Sequence, residues 1–166
     1  IERLLRDSNQ LTNLDNPFAN GKIGRFRVHL VSPPITPLVT VSLRAHNPHG
    51  WNFATLLEKN WADEGSIRTL QSIISEKKNF LVVGPTGSGK TSLLNACLNE
   101  IGPEERAVMI EDTEELLMPN SLSTRMLTRI DAQNILKPID QMELVRQSLR
   151  MRPDRIVMGE IRGTEA

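Results

Sequence analysis

The chain has 166 residues, of which 39% are hydrophobic and 24% are charged, a balance typical of a globular protein rather than a disordered one. Twenty basic and twenty acidic residues give a formal net charge of zero, so no overall field favours nucleic acid or an anionic membrane as the main partner. The apolar runs fall far short of the roughly 20 residues of a membrane span, and the single cysteine, Cys97, excludes an internal disulfide and favours a reducing, cytoplasmic location.

The sequence looks incomplete at both ends. It begins with Ile1 rather than methionine, inside a charged amphipathic turn that lacks the apolar core of a secretory signal. It stops at Ala166, shortly after an apolar strand that ends at Glu160, before the helices and strands that a parallel sheet would add next. We therefore expect the chain to be part of a longer protein.

Two β-strands are predicted within residues 24–44. Apolar and polar residues alternate over 26–30 and again over 39–43, which is the period of a strand with one polar face. The proline-rich segment 32–37 cannot donate a full hydrogen-bond ladder, so it is predicted as the turn between the strands. The following residues lose this alternation and contain structure breakers, which marks a linker.

From Ser66 onward the pattern becomes helical, with Ser66 as the expected N-cap. Three short apolar strands alternate with helices in this half, at residues 80–83, 107–110 and 156–158. Strands that alternate with helices indicate an α/β fold with a parallel sheet. Ligands bind at the carboxyl ends of such strands, which is where the loop after the first strand, Glu111 and Glu160 all fall.

A glycine-rich loop follows the first of these strands and opens a helix. It matches the P-loop pattern in full and in the required context. Its glycines let successive backbone amides point at phosphate oxygens, and the helix adds its positive N-terminal end. Lys90 is expected to reach the outer phosphates, and the Thr91 hydroxyl to bind magnesium. The sequence therefore predicts a site for ATP and Mg²⁺ formed by Gly84, Pro85, Thr86, Gly87, Ser88, Gly89, Lys90, Thr91 and Ser92.

Two carboxylates that follow predicted strands are candidates for work on water or metal. Glu160 ends a strand of Walker B character, although Gly159 stands where most P-loop ATPases have aspartate. Glu160 is placed to act on Mg²⁺ through water or to polarise the attacking water, and the alternative is a solvated strand end. Glu111 opens an acidic cluster, 111–115, which offers a general base or, alternatively, is plain surface.

Arg27 and Arg44 are further candidates. An arginine accelerates hydrolysis of a triphosphate when it reaches the developing negative charge, often from another domain or subunit. Two arginines on one face of paired strands fit this role, and the alternative is that each is a surface residue.

The order of these motifs resembles the type II and type IV secretion ATPase superfamily, the traffic ATPases. Residues 110–116 are similar to its Asp box, and residues 149–163 look like its Walker B region in a wording that most resembles ATPases of tight-adherence (Flp) pili. The resemblance implies that Glu111 is the general base and Glu160 the second essential carboxylate.

The same resemblance implies a domain organisation. Arg27 and Arg44 fall where the family's nucleotide-contacting arginines lie, at the end of its N-terminal domain. The predicted parts are 1–47, the C-terminal part of a small α+β N-terminal domain; 48–65, a linker and lead-in; and 66–166, a RecA-like P-loop core that is incomplete after Walker B. The family's His box is expected downstream of Ala166.

The resemblance further implies an assembly and a location. The family forms hexameric rings that hold nucleotide between the two domains and convert hydrolysis into domain motion. The expected partner is an inner-membrane platform protein, with no nucleic acid involved. The chain would then be cytoplasmic, associated through this partner with the inner face of the bacterial inner membrane.

Two other functions stay open from the residues alone. One is a regulatory subunit that binds nucleotide without turnover. The other is a small P-loop kinase, which would need an acceptor pocket and an arginine-rich lid after the third strand.

Overall fold

The computed structural model describes residues 17–45, 50–129 and 137–161. Its described residues divide into two units. The first contains 17–45 with 128–129 and 137–140, and the second contains 50–127 and 141–161.

The first unit is built on a three-stranded antiparallel sheet in the order β1-β2-β3. Its strands are β1 (Phe18–Ile23), β2 (Phe26–Val31) and β3 (Thr40–Ala45). The two predicted strands and the proline-rich turn between them are confirmed, whereas β1 was not predicted. Val28 and Leu30 of β2 and Ala19 of β1 are buried on one face, as their alternation with polar residues requires.

The second unit combines helices with a parallel sheet in the order β5-β4-β6. Its elements in chain order are α1 (Phe53–Glu58), α2 (Glu64–Ser75), α3 (Lys90–Leu98), β4 (Ala107–Glu111), β5 (Thr124–Leu127), α4 (Gln141–Ser148), a 3₁₀ turn (Leu149–Met151) and β6 (Arg155–Met158). The predicted α/β class, with a parallel sheet in the second half, is confirmed.

The core of the second unit surrounds β4, the central strand. Ala107, Val108, Met109 and Ile110 have no exposed surface, because a central parallel strand is covered on both faces. Cys97 of α3 lies in a neighbouring apolar cluster, and its burial, together with the nearby Glu100 in a smaller part, raises the pKa of the thiol to about 11.

Helix α2 begins two residues before the predicted N-cap. Asp63 caps it: one carboxylate oxygen accepts the Ser66 amide at 2.8 Å and the other accepts the Ser66 hydroxyl at 2.9 Å. The prediction of Ser66 as the cap is therefore wrong, because Ser66 occupies the third helical position and donates to the cap. The Ser66 amide is also the main reason that the pKa of Asp63 is lowered.

The stretch 48–65, predicted as a linker and lead-in, contains α1 in its described part. Asn52 caps this helix by accepting the Thr55 amide at 2.8 Å, and Phe53 and Leu56 are buried. Six residues give only two core positions, too few for a helical period to stand out in the sequence.

The predicted strand at 80–83 is not formed. A strand needs a hydrogen-bonded neighbour, and within the described residues the parallel sheet consists of β5, β4 and β6 only. Leu81 is 69% exposed and Val83 is 78% exposed, so this run lacks the burial that its composition suggested. The loop that follows it nevertheless opens α3 as predicted.

A charged cluster ties the start of β6 to the end of α2. Arg155 donates to Glu105 at 3.0 Å, and the Lys77 ammonium lies 3.2 Å from Glu105 and 3.6 Å from Asp154. Desolvation opposes ionisation of Glu105, but Lys77 and Arg155 outweigh it, so the pKa of Glu105 is lowered. The pKa of Asp154 is lowered as well, mainly by the backbone N–H of Arg106, which donates at 2.9 Å.

Among the described residues, no helix has both the length and the apolar composition needed to cross a membrane.

Candidate functional site

The P-loop opens α3 with Gly89 as the N-cap residue. Gly89 has φ +90°, in the left-handed region where a side chain would be strained, and its carbonyl accepts the Leu93 amide at 2.9 Å. The loop residues 84–88 are exposed, whereas residues 89–92 are half-buried. The amides at this helix end are therefore open to an anion on the loop side.

Lys90 folds over the loop that precedes it. Its ammonium donates to the carbonyl oxygens of Gly84 at 2.9 Å and Pro85 at 2.8 Å. An ammonium has three donors on a flexible stem, so phosphate oxygens that enter the loop can compete for them. Thr91 follows in the first turn of α3, where the P-loop pattern needs a hydroxyl for Mg²⁺.

Glu111 ends β4 with a carboxylate that is only 2% exposed. One of its oxygens accepts the backbone amides of Glu115 and Leu116, both at 2.8 Å. The other oxygen accepts Nε of Arg125 at 2.9 Å. Glu111 therefore fixes the loop that leaves β4, and any role as a base needs water to reach a carboxylate that already accepts three hydrogen bonds.

Arg125, on β5, completes this arrangement and was missed by the sequence analysis. Beyond Glu111, its guanidinium donates to the carboxylate of Glu114 and to the carbonyl of Leu116. We call Arg125 and its three acceptors, Glu111, Glu114 and the Leu116 carbonyl, the arginine clamp. A four-residue strand of mixed composition gives little signal in sequence, and a contact between residues 14 positions apart gives none.

The loop after Glu111 is also tied to the helices on either side in sequence. Asn95 of α3, which is 8% exposed, accepts the Leu117 amide at 2.7 Å. Gln141 at the start of α4 donates to Asp112 at 2.9 Å. Through Asn95 the helix that the P-loop opens is linked to the loop after Glu111.

Glu160 follows β6, the strand next to β4, and is half-buried. The amide of Gly159 donates to the Ile110 carbonyl at 2.8 Å, which carries the β4–β6 pairing to the end of both strands. A methyl group on Gly159 would lie 3.0 Å from Cγ of Glu111. A side chain at position 159 would therefore crowd Glu111, which is consistent with glycine in place of the usual aspartate.

Arg27 and Arg44 lie directly opposite each other on β2 and β3, so the prediction that they share a face is confirmed. Lys22 of β1 is opposite Arg27 in turn. Three cations thus form one cross-strand row, where like charges disfavour the sheet unless anionic groups offset them. Lys22 was missed because Asn20 and Gly21 hide the alternation of β1.

Lys90, Thr91, Glu111 and Glu160 all belong to the second unit, and both arginines belong to the first. Over 17–45, 50–129 and 137–161, no group of three or more His, Cys, Asp or Glu side chains is arranged to hold a metal ion by itself. Mg²⁺ keeps much of its hydration shell in nucleotide sites and needs few protein ligands. The donors that fit it here are the Thr91 hydroxyl, the phosphates of a nucleotide and a carboxylate that acts through water.

A family profile described as type II/IV secretion system protein matches residues 16–166. The chain belongs to this family.

Relatives of this family member include a putative conjugal transfer protein of Mycobacterium tuberculosis, 39% identical over 140 residues, which cover 84% of this chain and 40% of the relative. Protein VirB11 of Rhizobium radiobacter is 32% identical over 170 residues, covering 86% of this chain and 49% of that protein. The chain therefore spans less than half the length of these relatives.

The fold is also that of a solved structure, the VirB11 ATPase from the Brucella suis type IV secretion system in complex with sulphate. The TM-score is 0.51 at 22% identity, over 98% of this chain and 54% of that one. At this identity the structural similarity supports the fold of this chain and carries no conclusion about its function.

Proposed function

We propose that the chain is the nucleotide-binding part of an ATP-hydrolysing motor that powers pilus assembly or type II/IV protein secretion. The observation that carries this proposal is a full P-loop at the start of α3 in a member of the secretion family, in the same unit as two carboxylates that end β4 and follow β6. The assignment to tight-adherence pili stays a prediction.

The P-loop would hold the triphosphate. The backbone amides at the start of α3 would donate to phosphate oxygens, and Lys90 would exchange its contacts with the Gly84 and Pro85 carbonyls for contacts with the outer phosphates. Thr91 would bind Mg²⁺ through its hydroxyl. A bound magnesium ion supplies charge neutralisation at the phosphates.

The two carboxylates would have different roles. Glu160 would polarise the attacking water or bind Mg²⁺ through water, since its strand-end position is half-buried and reachable. Glu111, the general base that the family resemblance implies, is held in the arginine clamp and would act after Arg125 releases one of its oxygens. We therefore place Glu160 as the residue whose loss stops turnover most completely.

The remaining parts of the proposal concern the assembly. Arg27 and Arg44 would contact nucleotide phosphates and stabilise the charge that develops during hydrolysis. The working form would be a homo-oligomer, a hexamer, bound at the cytoplasmic face of the inner membrane through a platform protein. The VirB11 relative and the conjugal transfer protein support the secretion class.

Magnesium-dependent phosphate release from ATP tests the motor proposal. The chain is compared with Lys90→Ala and Glu160→Gln over a range of protein concentrations, and ATP binding is measured in parallel. We expect turnover that rises more than proportionally with protein concentration and is absent in both variants. Glu160→Gln should still bind ATP.

Three outcomes would contradict it. Tight binding of ATP without turnover at any concentration, in a protein that also includes sequence downstream of Ala166, indicates a regulatory nucleotide-binding subunit. Equal turnover by wild type and Glu160→Gln removes that residue from the mechanism. Transfer of phosphate to an acceptor other than water indicates a kinase.

A further inference from the structure

Trp61 lies in the turn between α1 and α2, directly against the P-loop. A methyl group built on Gly89 would lie 3.0 Å from Cζ2 of the indole and 3.6 Å from its Nε1. The backbone N–H of Trp61 donates to the Leu56 carbonyl at 2.9 Å, which fixes the turn after α1. The indole therefore occupies the space beside Gly89, on a turn whose backbone is hydrogen-bonded to α1.

This contact falls on the residue that sets the direction of the phosphate-binding amides. Gly89 is the N-cap of α3, and its left-handed conformation determines how the loop enters the helix. The P-loop pattern specifies loop residues only and does not require an aromatic partner under the glycine before the lysine. Trp61 is thus a feature of this chain that the motif does not explain.

We propose that Trp61 is a positioning residue of the P-loop, whose indole holds Gly89 and the first turn of α3 in the arrangement that binds phosphate. The inference rests on the proposed binding of nucleotide by this loop. Because the indole contacts the loop that receives phosphates, its effect should be the same for a triphosphate with or without a nucleobase.

The surroundings of Trp61 also make it an optical reporter of this site. The residue is 46% exposed and borders an open groove of about 580 Å³ whose lining includes Asp63, Leu70 and Leu93. The chain has two tryptophans and no tyrosine, so Trp51→Phe leaves Trp61 as the one source of indole emission. A small shift of Gly89 changes the contacts of this ring and hence its emission.

The test measures calorimetric dissociation constants of Mg·ATP and Mg·tripolyphosphate for wild type, Trp61→Ala and Trp61→Phe. We expect Trp61→Ala to bind both ligands roughly tenfold more weakly, because Gly89 and the first turn of α3 would lose the ring that positions them. Trp61→Phe keeps an aromatic ring beside Gly89 and should restore most of the affinity.

The matched control is Trp51→Ala. It removes the same side chain from the same unit, at a residue whose carbonyl accepts the side chain of Asn99 just after the last turn of α3. We expect it to leave both dissociation constants within about twofold. Circular dichroism of each variant shows that the fold is retained.

The second readout is the emission of Trp61 in the Trp51→Phe background. Addition of Mg·tripolyphosphate should change it with the same dissociation constant that calorimetry gives, and Lys90→Ala should abolish the change. If Mg·ATP changes the emission and Mg·tripolyphosphate does not, the indole contacts the base instead, and the inference is overturned.

Failure of this inference differs from failure of the proposed function. If wild type binds both ligands and Trp61→Ala binds them equally well, only the role of Trp61 falls. If folded wild type binds neither ligand, the nucleotide site itself is wrong and the role of Trp61 falls with it.

Discussion

Replacing Arg125 by methionine should destabilise the second unit by about 3 kcal/mol. The substitution keeps an apolar stem but leaves the carboxylate of Glu111, 2% exposed, without its charged partner. Breaking one side of a buried ion pair costs about 3–5 kcal/mol. We expect the lower end of this range, because the amides of Glu115 and Leu116 still donate to Glu111.

Urea unfolding measures this effect, followed by circular dichroism and by tryptophan emission. Both tryptophans, Trp51 and Trp61, belong to the second unit, so their emission reports the unit that holds Arg125. The matched control is Arg68→Met, since the Arg68–Glu64 pair is 71% and 77% exposed and should contribute less than about 1 kcal/mol.

A second substitution tests the cause of the loss. Glu111→Gln in the Arg125→Met background removes the buried charge, while the glutamine oxygen still accepts both loop amides, so part of the stability should return. The reasoning is refuted if Arg125→Met costs no more than Arg68→Met, or if Glu111→Gln adds to the loss instead of reducing it.

Three further predictions concern stability. The pKa values of Glu105 and Asp154 are lowered in the folded chain, so both carboxylates stabilise the fold at neutral pH, and this stabilisation is lost as pH falls below about 4.5. The double variant Glu105→Gln, Asp154→Asn should show a smaller fall in the free energy of unfolding over this acid range. Gly159→Ala places a methyl 3.0 Å from Cγ of Glu111 and should cost about 1–3 kcal/mol in urea unfolding, whereas an unchanged midpoint would contradict the close packing. Met109→Ala, at 0% exposure, should cost about 2–5 kcal/mol by the same assay, and a smaller loss would place β4 outside the core.

Local signals explain which parts of this fold could be predicted. The P-loop is recognisable because glycine, lysine and threonine at fixed spacing have one common physical use. Strands β4 and β6 are continuous apolar runs, and β2 and β3 alternate over enough residues to be recognised. Alternation also places Arg27 and Arg44 on one face once the two strands pair, whereas their direct opposition is seen only in the structure.

Non-local contacts explain what was missed. Residues 80–83 have the composition of a strand, but a strand also needs a neighbour to pair with, and four residues do not reveal one. Helix α1 has too few core positions to show its period. Arg125 and Trp61 were missed because their partners, Glu111 and Gly89, are far along the chain, so only the folded structure brings them together.

Calorimetric titration of Mg·ATP into the chain and into Lys90→Ala tests most directly whether the P-loop binds nucleotide. We expect one nucleotide bound per chain, with affinity that requires magnesium and falls at least about a hundredfold when the Lys90 ammonium is removed. No binding by folded wild type, or equal binding by the two proteins, would show that the loop at the start of α3 is not a nucleotide site.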